Sequence, residues 1–132
     1  MKISSKGRYA VRVLVDIAIH KNDYVSISEI SNRQNISVKY LERIMSILVK
    51  GKLVTSLMGQ KGGYKLAKPA NKCTIAEILE LTGDSPDLAP CQKTGCPNAN
   101  KCPTIGYWET LQKLIFDNLC TITLQDLINK TY

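Results

Sequence analysis

The sequence predicts a mainly α-helical fold with one small β-hairpin, in which a winged helix-turn-helix is followed by a long dimerisation helix. Three observations predict it. A short and a longer helical pattern meet across a turn at Asn35, and two strand-like runs flank the glycine-rich segment GQKGG. From Thr104 to about Cys120, apolar side chains cover most of a helical circumference.

Residues 8–20 place Tyr9, Ala10, Val13, Leu14, Ile17 and Ala18 at helical spacing, with Arg8, Arg12 and Asp16 on other faces. The loop KNDY (21–24) follows. Ser26-Ile27-Ser28-Glu29 has the form of a capping box, in which serine accepts from the helix start and glutamate reaches back. It opens the short helix SISEISNRQ, and Asn35 suits a tight turn. Ser37 caps the longer helix SVKYLERIMSILVKG, whose buried stripe is Leu41, Ile44, Met45 and Leu48. Gly51 closes it as a C-terminal glycine. The runs KLVTSLM and YKLAK form the wing, with Gln60 and Lys61 at its tip.

Thr74-Ile75-Ala76-Glu77 reads as another capping box, leading a helix with Ile75, Ile78 and Leu79 inward. Between Gly83 and Pro103 the periodicity disappears, in a stretch holding Pro86, Pro90, Pro97 and Pro103 and three cysteines. A loop of that length is usually functional or disordered. The long helix then carries Ile105, Tyr107, Trp108, Leu111, Leu114, Ile115, Phe116 and Leu119. One intramolecular face needs less apolar surface than this, so a homodimer through the helix is expected. Thr123 and Asp126 cap a last short helix. The chain divides into a DNA-binding domain, 1–72, and a cysteine-loop sensor and dimerisation region, 73–132.

Charge supports that division. The net +7 is unevenly spread: residues 1–72 hold fourteen Lys or Arg against four Asp or Glu, and residues 73–132 hold four against seven. A basic half joined to a mildly acidic half suits a reader of double-stranded DNA with a separate regulatory region, because phosphate neutralisation supplies most non-specific affinity. The hydrophobic share of 44% suits a globular core. No apolar run approaches the roughly 18–20 residues of a membrane span. The N-terminal MKISSKGRYAVRV lacks a signal-peptide core, so a soluble, cytoplasmic protein with no membrane partner is expected.

In a helix-turn-helix the second helix enters the major groove with its N-terminal residues nearest the base edges. Here these are Ser37, Lys39, Tyr40 and Arg43, with Glu42 beside them. Lys39 and Arg43 are four residues apart and share a face off the buried stripe. Arg43 suits a guanine edge, Glu42 cytosine N4, and Ser37 and Tyr40 phosphate oxygens. Gln60 and Lys61 would approach backbone or minor groove, and Arg8, Arg12 and Lys6 would add phosphate contacts. Each of these residues is also compatible with a plain solvated surface. The wing lacks the spacing of a phosphate-binding nucleotide loop. There is no CxxC pair, dinucleotide fingerprint or acid/base constellation, so an enzyme is not expected, and a redox carrier or protein-interaction scaffold ranks low.

Cys91, Cys96 and Cys102 form a tight thiolate constellation. Soft thiolates select zinc, copper(I) or iron–sulfur clusters. Structural zinc sites use shorter spacings and four ligands. Zinc binding or reversible thiol oxidation remains the alternative to a cluster.

With these features in place, the chain resembles the IscR-like family of regulators. The resemblance covers nearly the whole chain: MKISSKGRYAV, ISVKYLERI, GQKGGYKL and the cysteine loop before YWETL fall in family order. It implies a homodimer that binds operator DNA under control of an iron–sulfur cluster, commonly of the two-iron, two-sulfur type. Cys91, Cys96 and Cys102 match the cluster cysteines, Ser37, Tyr40 and Arg43 the recognition helix, and Gln60 the wing. Two ligand positions depart from the family: Ile105 stands where some members have histidine, and Arg8 where another branch has its ligand. The fourth ligand is unassigned among Cys73, Cys120, His20 and a partner-subunit group. Met58 occupies a position where some relatives carry a base-reading arginine.

Overall fold

A computed structural model describes residues 1–20, 23–91 and 95–132. Helices α1 (Ser5–Ile19), α2 (Ile27–Gln34) and α3 (Val38–Lys50) lead into an antiparallel hairpin, β1 (Val54–Leu57) and β2 (Gly63–Leu66). A 3-10 turn (Ala70–Lys72), α4 (Ile75–Leu81), a second 3-10 turn (Ala99–Lys101), α5 (Ile105–Thr121) and α6 (Leu124–Asn129) complete the chain. The winged helix-turn-helix with a long following helix is the fold. Of the expected loop 21–24, residues 21 and 22 lie outside the described residues, as do 92–94 of the cysteine segment.

Local capping explains most helix starts. The Ser26/Glu29 box closes in both directions, at 3.2 and 3.0 Å, and the Thr123/Asp126 box does likewise at 2.9 and 3.3 Å. Ser37 Oγ accepts from Tyr40 N at 3.2 Å. Asn35 ends α2 in the left-handed region (φ 54°). Helix α1 begins earlier than expected, because Ser4 Oγ accepts from Gly7 N at 3.0 Å.

Three local expectations are corrected. At Thr74, Glu77 N donates to the threonine hydroxyl at 3.3 Å, but the Glu77 carboxylate binds Lys68 Nζ at 2.6 and 2.7 Å instead of reaching back. At the end of α3, Gly51 is the C-cap as expected, with its N–H donating to Ile47 O at 2.9 Å, but the left-handed conformation falls on Lys52 (φ 59°) and not on the glycine (φ −76°). Gly51 is small for another reason, since a Cβ there would lie 2.4 Å from a Leu81 methyl where α3 meets α4. Asp16, expected with the polar faces of α1, is buried at 4% exposure.

One apolar cluster joins Val13, Leu14 and Ile17 of α1, Ile30 of α2, the Leu41/Ile44/Met45/Leu48 stripe, Leu53 and Val54. Cys73, Ile78 and Leu124 belong to the same cluster, because α6 returns to the N-terminal helices. Leu124 N donates to Cys73 O, and Ile75 N to Ile122 O, both at 3.0 Å. The wing is tied to the start of α2 through reciprocal Val25–Tyr64 backbone bonds of 2.9 and 2.8 Å. Gly63 permits that approach: a Cβ there would lie 2.3 Å from Val25 O. In contrast, α5 buries none of its residues; Tyr107 and Leu114 are each 62% exposed and Phe116 47%. No helix among the described residues is long and apolar enough to cross a membrane.

Candidate functional site

The buried stripe of α3 turns its opposite face outward. Ser37, Lys39, Glu42 and Arg43 are exposed and Tyr40 is half-buried. Ser37, Lys39, Tyr40 and Arg43 line one shallow surface depression, with Glu42 next to Arg43 in the chain. The fold thus brings the expected recognition residues together. Gln60 and Lys61 are exposed at the wing tip, which is closed by a Gly62 N to Gly59 O bond of 3.0 Å. Met58 beside it is 92% exposed. Arg8 is exposed near the start of α1, donating to Ser5 Oγ at 3.1 Å.

Behind this face lies a braced layer whose arrangement the sequence pattern did not reveal. The Tyr40 ring meets Tyr9 edge-on, with centroids 5.7 Å apart and planes at 87°. Arg12 lies 5.3 Å from the Tyr9 ring centroid. It donates to Gln34 Oε1 at 3.2 Å and to Gln34 O at 2.6 Å. Asp16 receives Arg33 Nε at 3.0 Å, Arg33 Nη2 at 2.7 Å and Gln34 Nε2 at 2.8 Å. Burial pushes the Asp16 carboxyl up. Hydrogen bonds from Arg33 and Gln34, with the charges of Arg33 and His20, outweigh that and hold it below the ordinary aspartate value. No spacing in the sequence hinted at this, since Asp16 lies 17 residues from Arg33 and 18 from Gln34.

Cys91, Cys96 and Cys102 are half-buried on the segment leading to α5. Cys96 and Cys102 flank the second 3-10 turn, where Ala99 N donates to Cys96 O at 3.0 Å and Cys102 N to Ala99 O at 3.4 Å. Cys102 Sγ lies 3.2 Å from Thr104 Oγ1. The Thr104 hydroxyl, followed by the backbone N–H groups of Thr104 and Ile105, holds the Cys102 thiol below its ordinary pKa. Among the described residues no three His, Cys, Asp or Glu side chains converge as a metal would require. The donor type nevertheless suits a thiophilic group, since soft thiolates select such groups and the Cys102 thiol is biased toward thiolate.

The other candidate ligands sit elsewhere. Cys73 is fully buried in the core, and burial pushes its thiol up. His20 caps the C-terminus of α1, with Nδ1 2.8 Å from Asp16 O. Cys120 is exposed on α5.

Comparison with known proteins bears on both halves. Residues 3–130 match the Rrf2 family, described as an iron-dependent transcriptional regulator. The chain is 41% identical over 131 residues to the HTH-type transcriptional regulator IscR of Yersinia pseudotuberculosis, spanning 98% of this chain and 80% of that protein. Among solved structures it is similar to T. potens IscR (TM-score 0.78, 32% identity, 100% of this chain and 89% of that one). It is also similar to CymR, the global cysteine regulator of B. subtilis (TM-score 0.84, 26% identity, 100% and 99%).

Proposed function

The chain belongs to the Rrf2 family of transcriptional regulators, and from that premise we propose that it acts as a cytoplasmic homodimer whose hold on operator DNA is set by an iron–sulfur cluster on Cys91, Cys96 and Cys102. The observation that carries the DNA-reading part is that Ser37, Lys39, Tyr40 and Arg43 line one shallow exposed depression. Ser37 caps α3 and Tyr40 is braced from behind, so these groups reach a groove from a rigid start rather than from a loop. Arg43 and Glu42 face base edges, Lys39 and Arg8 face phosphates, and Gln60 and Lys61 follow the adjacent groove.

A dimer through α5 would set the separation of two such faces, which has to match half-sites about 34 Å apart on DNA. The cysteine segment immediately precedes α5, so the state of its thiols bears on the helix that sets that separation. When bound, a cluster supplies sensitivity to iron supply and to oxidation. Cys91, Cys96 and Cys102 would hold it, with Thr104 biasing Cys102 toward thiolate. A second reading, reversible oxidation of the cysteines alone, is favoured by that same bias at Cys102.

The test is purification without oxygen, visible absorption, and iron and sulfide analysis, followed by DNA binding. Absorbance between about 400 and 470 nm with matching iron and sulfide supports the cluster. Cys96→Ala should then abolish cluster-dependent changes in operator affinity. A protein that stays colourless after reconstitution, yet changes affinity on mild oxidation, overturns the cluster in favour of thiol redox.

A further inference from the structure

We propose that Arg12 is a positioning residue for sequence reading and not a phosphate contact. This rests on the reading that α3 faces DNA. Its basis is the way one turn of α1 grips both sides of the helix-turn-helix turn. The last carbonyls of a helix have no intrahelical partner, and Gln34 is the last residue of α2. Arg12 Nη2 takes the Gln34 carbonyl at 2.6 Å, so it caps α2 from outside. Arg12 Nε simultaneously holds the Gln34 side chain at 3.2 Å, whose other end donates to the buried Asp16.

On the far side of the turn, Tyr9 packs edge-on against Tyr40 in the first turn of α3. Tyr9 and Arg12 are three residues apart on α1 and touch, with the guanidinium 5.3 Å from the ring centroid. Only Asn35, Ile36 and Ser37 lie between α2 and α3, and Asn35 already holds a left-handed conformation. Arg12, Tyr9, Gln34 and Tyr40 therefore set the angle between α2 and α3, and with it where Tyr40 and Arg43 meet a base edge. A guanidinium with two donors committed and one face against a ring is a poor candidate for a mobile phosphate contact. Lysine cannot replace it, because an ammonium has neither the planar fork nor the stacking face.

The experiment uses the full chain and a duplex obtained by selection from random-sequence DNA, with a random duplex of equal length as reference. Dissociation constants are measured at several salt concentrations for the wild type, Arg12→Lys, Arg12→Ala, Tyr9→Leu and the Arg12→Lys/Tyr9→Leu pair. Arg12→Lys keeps the charge and should still lose about tenfold in preference for the selected duplex, with random-duplex affinity and salt slope unchanged. Tyr9→Leu should show a similar loss, and the pair no more than the worse single change, since both break one brace. Full activity of Arg12→Lys overturns the proposal. So does equal weakening of Arg12→Ala on both duplexes with a salt slope smaller by about one, the mark of a phosphate contact. Additive losses in the pair overturn it too. A variant that melts early is scored on its folded fraction, and the milder Arg12→Lys decides. If the wild type itself shows no preference, the DNA-reading assignment of α3 fails first and the proposal goes with it.

Discussion

Ser4 and Asp84, eighty residues apart, clasp each other through two hydrogen bonds. Ser4 N donates to Asp84 Oδ1 and Ser4 Oγ to Asp84 Oδ2, each at 2.9 Å. Thr82 Oγ1 adds a third at 3.1 Å. Gly7 makes room, since a Cβ there would lie 2.1 Å from Asp84 Oδ2. The start of α1 is thereby fastened to the residue at which the chain leaves α4 for the cysteine segment.

That clasp, with Asp16, should give the fold an acid-sensitive component. Partial burial pushes the Asp84 carboxyl up, but the two Ser4 bonds, the Thr82 bond and the charge of Lys6 outweigh it, leaving it below the ordinary aspartate value. Asp16 is lowered as well. A carboxyl lowered by folding adds stability that is present above its unfolded pKa and lost as pH falls toward the folded one. Urea midpoints should therefore be level near neutrality and drop below about pH 4–5. Asp84→Ala should cost about 1–3 kcal/mol at neutral pH and flatten part of that acid slope. An unchanged acid slope in this variant would remove Asp84 from the account.

The end of α3 offers a paired test of backbone and packing. Gly51→Ala should destabilise by about 1–3 kcal/mol, because its Cβ meets Leu81 and not because of backbone strain. Lys52→Gly should raise the thermal midpoint by the equivalent of up to about 1 kcal/mol, since Lys52 holds the left-handed conformation. Thermal melts that ranked the two the other way round would contradict the assignment.

Thiol labelling of metal-free, reduced protein should sort the cysteines by burial. Cys73 is fully enclosed with its thiol pushed up, so iodoacetamide should reach it only after unfolding. Cys91, Cys96, Cys102 and Cys120 should react in the native state. Peptide mass spectrometry after a timed pulse reads this directly, and early loss of Cys73 would mean that α6 releases the core.

The open apolar face of α5 predicts assembly. Leu114→Glu places a charge where a leucine is 62% exposed in the single chain, so the monomer fold should survive while a dimer across α5 should not. Light scattering should then give half the wild-type mass with an unchanged helical spectrum. An undiminished mass would move the dimer surface away from α5.

For base reading, Arg43→Ala should weaken binding to a selected duplex by about 1–3 kcal/mol and relax preference at one base pair. Equal weakening on random DNA would reassign Arg43 to phosphate.

Much of this molecule is written in interactions between residues three or four apart. The Ser26/Glu29 and Thr123/Asp126 boxes, the Ser37 cap, the Leu41/Ile44/Met45/Leu48 stripe and the hairpin around Gly59–Gly63 all formed where the pattern placed them. The grouping of Ser37, Lys39, Tyr40 and Arg43 on one exposed face followed from the same periodicity. These features were readable because their partners lie within one turn of helix or one strand pair. The tertiary structure alone decided which of several local options each polar side chain took. Glu77 could reach back to its cap at Thr74 or further back to Lys68 beyond the wing, and the fold chose Lys68. Asp16 read as a surface residue until α2 brought Arg33 and Gln34 over it. Arg12 read as one basic side chain on an outer face of α1, and the fold gave it the carbonyl of Gln34 as a partner. Asp84 and Ser4, eighty residues apart, left no spacing to detect. Charged and polar side chains seek partners wherever the fold supplies them, and partners distant in the chain are specified by packing, which local periodicity does not encode.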